Sequence, residues 1–281
     1  MRIFRRLGFV LVMGLLVLRP AAWAQEEQEP GGEAERVKPA PEVKAEEAAV
    51  AKKTSWLPGG LSGNVAVYTD YSFRGVSQTG KDMALQGGID YNHDSGLFAG
   101  YWASSTNFAN TYMENDFYGG YAGAIDKWSY KVSTTFFYYP RDEVFNYWEF
   151  GAFTGYDFGV ASVSTGFIGS PDYFGTLDTG FYIPVGFAIP FPTIKCPWGD
   201  HETCFDWGFD ANGGYTHADR QIFVDSATGA GTQHYFDWNM GIVLTMPFNL
   251  KLDFRYVDTQ IDNVHVPDGD ARFVFGAKYL F

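Results

Sequence analysis

The stretch ARFVFGAKYLF, residues 271–281, carries an aromatic or apolar side chain at every second position: Phe273, Phe275, Ala277, Tyr279 and Phe281. Arg272, Gly276 and Lys278 fall between them. A period of two belongs to a β-strand with one apolar and one polar face. The chain carries a net charge of -13, yet this strand finishes on a phenylalanine ring with no polar tail behind it.

The same period recurs upstream. Leu61, Val65, Val67, Tyr71 and Phe73 share one face, opposite Asn64, Asp70, Ser72 and Arg74. Met83, Leu85, Ile89 and Tyr91 oppose Gln86 and Asp90, and Phe117, Tyr121 and Ile125 oppose Asp116 and Tyr118. Trp128, Tyr130, Val132, Phe136 and Tyr138 oppose Lys131, while Trp148, Phe150, Ala152, Tyr156 and Phe158 oppose Glu149. Leu177 to Ile189, Asp206 to His217, His234 to Met246 and Asn249 to Val257 alternate in the same way, and Leu97 to Ser105 and Val160 to Ile168 do so more weakly. Together these segments predict twelve strands.

Turn residues punctuate them. The segments 92–96, 126–127, 157–159 and 247–249 are short, whereas 76–82, 107–113, 140–146, 217–233 and 259–270 are longer and polar. Short and long connections therefore alternate, as in a transmembrane barrel with tight periplasmic turns and larger outer loops. The connection from Ile189 to Phe205 departs from this rule, being long on the side expected to be short. A soluble β-sandwich would also alternate. Against it stand the aromatic content of 19%, with rings gathered near strand ends as in interface girdles, and charges at mid-strand on the opposite face. Beyond residue 55 no apolar run is long enough for a spanning helix. Lipid offers no partner for backbone N–H and C=O groups, so a spanning sheet must close on itself. The expected fold is an all-β, antiparallel up-and-down outer-membrane barrel over residues 55–281.

Closure explains the ending. The last strand must seal the barrel, and Tyr279 and Phe281 are expected to form the signal that the barrel assembly machinery reads. At the other end, Arg2, Arg5 and Arg6 precede an apolar run from Leu7 to Leu18 and the small-x-small triplet Ala22-Trp23-Ala24. This pattern predicts a cleaved signal peptide over 1–24 and export in a Gram-negative bacterium. Residues 25–54 are rich in Glu, Ala, Lys and Pro and are expected to be an unstructured periplasmic linker.

Residues 67–108, VYTDYSFRGVSQTGKDMALQGGIDYNHDSGLFAGYWASSTNF, carry Tyr71, Phe73-Arg74-Gly75, Ser77-Gln78, Leu85-Gln86-Gly87-Gly88, Asp90-Tyr91, Ser95-Gly96, Ala99-Gly100 and Trp102. With Tyr147-Trp148-Glu149 and Gly155-Tyr156, this pattern resembles the TorF porin family, bacterial outer-membrane proteins of unknown function. Met83 stands where that family has proline. The resemblance implies an outer-membrane channel and names no solute.

By strand parity, Asp70, Arg74, Asp90, Asp116, Lys131, Glu149, Asp237 and Arg255 are candidate pore-lining charges, along with Asp178, Asp206, Asp210, Lys251, Asp253, Arg272 and Lys278. Arg74 and Glu149 are the leading candidates for a selectivity role, and a mainly acidic lining would favour cations. Cys196 and Cys204 flank PWGDHET and are expected to form a disulfide in an oxidising compartment. A metal reading with His201 supplies three Cys/His ligands where a structural zinc site takes four. The five histidines fall in or beside connections, and no GxSxG element is present, so no catalytic residues, cofactor or metal are predicted. The expected partners are outer-membrane lipid and lipopolysaccharide, the assembly machinery during insertion and small hydrophilic solutes. A homo-oligomer is left open, and the acidic balance gives no reason to expect nucleic acid. The expected function is diffusion of small hydrophilic solutes or ions, with a plugged structural or adhesive barrel as the alternative.

Overall fold

The computed structural model describes residues 52–53, 59–175, 177–195, 205–222, 231–261 and 267–281. The signal-peptide and linker readings (all but Lys52 and Lys53) and the Cys196–Cys204 pairing lie outside the described residues. Twelve strands form the barrel: β1 Gly60–Tyr68, β2 Ala84–Asn92, β3 Leu97–Ser105, β4 Met113–Ile125, β5 Trp128–Tyr138, β6 Tyr147–Asp157, β7 Ser162–Ser170, β8 Gly180–Pro190, β9 Asp206–Ile222, β10 Thr232–Met246, β11 Leu250–Thr259 and β12 Arg272–Leu280. Each pairs antiparallel with its sequence neighbour. β12 closes on β1 with Gly276 opposite Tyr68 and Leu280 opposite Asn64. Phe281 extends this seam, exchanging backbone hydrogen bonds with Gly63 in both directions at 2.7 and 2.9 Å.

The faces are inverted relative to a soluble protein. Leu85, Ile125, Phe150, Val185, Phe254 and Phe273 point outward and are exposed, while Asp90, Glu114, Asp116, Glu149 and Asp237 are buried inside. Parity had assigned these faces at every one of these positions except Glu114, and the structure places the assigned ones accordingly. Outward rings meet across strands, such as Trp128 with Tyr156 at 4.8 Å and Phe136 with Trp148 at 4.8 Å. Such cross-strand aromatic pairs contribute on the order of 0.5–1.5 kcal/mol each beyond area burial.

The connections at one end are short (93–96, 126–127, 158–161 and 247–249) except for 191–205, the departure expected from the sequence, and those at the other include the longer 69–83, 106–112, 139–146 and 171–179. Inside the long-loop end lies an aromatic core of Phe137, Tyr139, Tyr147, Tyr173, Ile222 and Tyr235, with Phe73, Phe108, Phe145 and Phe174 packed against it.

Three strand readings need correction. The first strand stops at Tyr68 instead of running on to residue 74, so Tyr71 and Phe73 do not join the outward face. They turn into the barrel. β8 begins at Gly180, which leaves Leu177 and Asp178 in a connection. Asp178 is consequently no lumen charge: it is exposed and pairs with Arg220 at 2.6 Å. β9 runs five residues past His217, to Ile222, with a register shift between the two.

Candidate functional site

After β1 the chain folds inward. Ser72–Phe73 and Val76–Ser77 pair as a miniature hairpin. Its two-residue turn is Arg74-Gly75, with φ of 47° and 81°. Two left-handed residues give the primed turn that joins tight hairpins, a geometry that favours Asn or Gly at the first position. Arginine there holds a strained backbone, of order 1–3 kcal/mol. Gly75 is needed for space as well as φ, since a Cβ would lie 2.3 Å from Thr259 Cγ2 and 2.9 Å from Asp237 Cβ.

The hairpin crosses the barrel. In a ring of twelve strands β7 lies opposite β1, and the Arg74 guanidinium reaches residues on both sides of it. Its Nη2 donates to Glu149 Oε2 on β6 at 2.9 Å and lies 2.8 Å from Oε1 in the same ion pair. Its Nη1 donates to the Tyr173 hydroxyl at 3.0 Å, in the connection after β7. It stacks over the Tyr182 ring of β8 at 4.4 Å and the Phe73 ring at 4.7 Å. The Tyr235 hydroxyl of β10 donates to the Arg74 carbonyl at 3.1 Å. Burial by itself would weaken the guanidinium's hold on its proton. The Glu149 carboxylate, followed by Tyr173, Tyr147 and Tyr182, outweighs it, so Arg74 is held charged well above the ordinary arginine range.

The base of the hairpin is tied to the other side. The Asp70 carboxylate accepts from Arg272 Nε of β12 at 2.5 Å, from Thr79 at 2.9 Å and from the Ser77 hydroxyl. Arg272 Nη1 also donates to the Gly75 carbonyl at 3.0 Å. Laterally, Tyr71 and Tyr139 donate to the two oxygens of Glu114 on β4 at 2.7 and 2.6 Å. Burial first, and then the Glu114 charge, push both phenols well above the usual tyrosine range, so both remain hydrogen-bond donors. The Tyr71 ring meets Trp102 of β3 edge-on at 5.4 Å, and the Phe73 ring meets Phe137 of β5 at 6.0 Å. The hairpin thus touches the wall on nearly every side.

Towards the short-turn end the interior is polar. Arg255 of β11 binds Asp210 on β9 at 2.8 Å, Asn239 on β10 at 2.6 Å and Asp253 at 3.2 Å. Asp90 accepts from Tyr118 at 2.6 Å, and Lys131 lies over the Phe153 ring at 4.5 Å. Nearer the hairpin, Asp237 accepts from the Tyr182 hydroxyl at 3.2 Å, and Asp116 is completely buried.

Of the predicted lining residues, then, Arg74, Glu149, Asp237 and Asp70 converge on the hairpin, whereas Arg255, Asp90 and Lys131 line the wall away from it. Asp70 and Arg74 belong to the inward fold and to no strand. Tyr279 and Phe281 point outward with their rings stacked at 6.3 Å. Sequence reasoning missed Glu114, Tyr147, Tyr173 and Tyr182. The one local signal was Arg-Gly inside SFRGVS, a two-residue turn flanked by serines. Among the described residues, Ser95 lies 2.7 Å from His93 Nδ1, but that nitrogen also accepts the Ser95 backbone N–H, as part of an exposed turn.

A family model described as "Bacterial protein of unknown function (Gcw_chp)" matches residues 52–279. Among curated proteins no sequence matches the chain. Among solved structures it is similar to the KdgM porin, with TM-score 0.50 and 9% identity over 78% of this chain and 99% of that one. It is also similar to the NanC porin (TM-score 0.47, 9% identity, 79% and 98% covered). A further likeness is to the COG4313 outer membrane channel from Pseudomonas putida F1 (TM-score 0.42, 12% identity, 80% and 96% covered). At 9% identity the likeness to the KdgM porin is one of fold alone.

Proposed function

We infer that this chain, which belongs to the Gcw_chp family of bacterial proteins of unknown function, is a gated outer-membrane channel for small hydrophilic solutes. The observation that carries this reading is the interior below the hairpin. A water-filled passage requires polar walls, and Arg255, Asp210, Asp253 and Lys131 line this one. The resemblance to TorF porins, carried partly by Phe73-Arg74-Gly75, supports the same reading, and so does the fold shared with KdgM. On this reading the long-loop end faces outward and the hairpin stands at the outer mouth. Inward-facing acids (Asp70, Asp90, Glu114, Asp116, Glu149, Asp210, Asp237 and Asp253) outnumber inward-facing bases (Arg74, Lys131, Lys251, Arg255, Arg272 and Lys278), so the passage favours cations.

The hairpin also favours a second reading, a plugged structural or adhesive barrel. Single-channel recording in a planar bilayer, on protein purified from outer membranes, separates the two. Long closed periods broken by stepwise openings, with a cation-favouring reversal potential under a salt gradient, are expected. A folded barrel silent at every voltage would instead establish the plugged one.

Tyr279 and Phe281 remain our proposed assembly signal. Deleting Phe281 removes its two backbone bonds to Gly63 and the ring stacked on Tyr279. Insertion into vesicles containing the assembly machinery is expected to slow about tenfold or more, equivalent to roughly 1.4 kcal/mol in the barrier. Unchanged kinetics would remove Phe281 from that role.

A further inference from the structure

The pocket that holds the Arg74 guanidinium is built by the wall and the connection after β7, with Phe73 of the hairpin over the guanidinium. Its floor is the Glu149 carboxylate, and its sides are Tyr147, Tyr173 and Tyr182, each buried. Each also has contacts that do not involve the hairpin. Tyr147 stacks on Phe137 at 4.4 Å and on Phe174 at 5.2 Å. Tyr173 stands edge-on to Tyr147 at 5.9 Å, and the Tyr182 hydroxyl is bound to Asp237. The Tyr182 ring also lies against Gly214, where a Cβ would fall 2.3 Å from it. A carboxylate walled by preset aromatic faces suits a flat or alkylated cation.

Arg74 fills this pocket imperfectly. Its Nε and the buried Tyr147 hydroxyl have no hydrogen-bond partner among the described residues. It is presented from a turn whose backbone disfavours arginine, so the position is occupied for its side chain. A buried ion pair adds little net stability over an apolar packing, and its best-attested use is to fix one of two alternative arrangements.

We propose that the Glu149 pocket is a binding site for the cationic head of a solute, a guanidinium or alkylammonium group, which replaces Arg74 and so unseats the hairpin. Arg74 is then a tethered occupant that keeps the site filled until solute arrives. Tethering gives it an effective concentration on the order of millimolar, so a free competitor acts in that range. Occupancy of the pocket stands apart from any channel activity; the coupling to opening rests on the channel reading.

Methylguanidinium chloride is the probe, and binding is read by saturation-transfer NMR on purified barrels. Arg74→Ala is expected to bind it saturably in the millimolar range, with wild type about twofold or more weaker, because an occupant at millimolar effective concentration halves the apparent affinity of a millimolar site. Arg74→Ala/Glu149→Gln is expected to lose the binding. Arg74→Met, which retains much of the packing of the stem, guards against collapse of the alanine variant and is expected to bind likewise. In wild-type bilayer records, methylguanidinium on the outer side is expected to raise the open fraction where sodium chloride of equal ionic strength does not. Absence of saturable binding to every folded variant, or binding indifferent to Glu149→Gln, overturns the site. Binding without a change in opening supports the site and overturns its coupling to the hairpin. A barrel silent in all conditions overturns the channel reading while the NMR result still decides the site.

Discussion

Glu149→Ala is expected to turn a mainly closed barrel into a mainly open one. The substitution leaves the Arg74 guanidinium buried against Tyr173, Tyr182 and Phe73 without the carboxylate that holds it at 2.8 Å. Removing one partner of a buried pair typically costs about 3–5 kcal/mol, because the remaining charge has lost its water and gained nothing in return. The hairpin has an escape that a core residue lacks. It can withdraw and return Arg74 to solvent, so the penalty appears as a shift between docked and undocked hairpin more than as unfolding of the barrel. A shift of that size changes the ratio of the two states by at least about a hundredfold. Two measurements follow it. Single-channel records are expected to show long openings, and amide hydrogen exchange at Ser72 to Ser77 is expected to accelerate while exchange in β6 and β7 stays slow. If both records match wild type, the hold on the hairpin lies with Asp70 and Arg272 instead.

Gly75→Ala attacks the same docking through shape, with every charge retained. The added methyl would fall 2.3 Å from Thr259 Cγ2, and the backbone at φ 81° is one that alanine rarely adopts. Forcing extra volume into a packed site costs about 1–3 kcal/mol, and a left-handed non-glycine residue adds about 1 more. The tip is therefore expected to move away from β10 and β11, carrying Arg74 with it. The Tyr235 and Arg272 hydrogen bonds to the tip carbonyls are lost in the process. The open fraction is expected to rise by about thirtyfold or more, given a loss of roughly 2–4 kcal/mol. Because Glu149 and Arg74 are both intact, opening here would trace the closed state to the fit of the hairpin as well as to its charge. Wild-type records for Gly75→Ala would mean that the hairpin tolerates a shifted tip.

The barrel was readable because two different solvents enforce it. Lipid outside and polar contents inside require alternation, and Lys251, Leu252, Asp253, Phe254, Arg255 and Tyr256 obey it residue by residue. The inward fold was not readable by the same rule. Tyr71, Phe73 and Arg74 continue the alternation of β1 without a break, so parity carried them onto a strand that ends at Tyr68. Alternation reports which faces differ; it does not report what each face meets. Arg74 and Glu149 emerged as leading candidates from sequence alone, but their pairing spans 75 positions and nothing local encodes it. Tyr173 and Tyr182 were harder still, since on the page they look like any other aromatic residue of a barrel. Arg272 was legible as an inward charge, while its role depends on a loop from the far end of the chain.

That last pairing bears on the order of events during biogenesis. Asp70 follows the first strand, and Arg272 opens the last, 202 positions later. Until β12 zips onto β1, the anchoring guanidinium is absent from the vicinity of the hairpin, and the opposite wall is not yet held at the right distance to receive Arg74. Contacts between such distant parts of a chain form late, because the intervening chain must first be ordered. Docking of the hairpin is therefore expected to follow closure of the seam. The locking of Asp70 by Arg272 is a molecular record that the ring is complete.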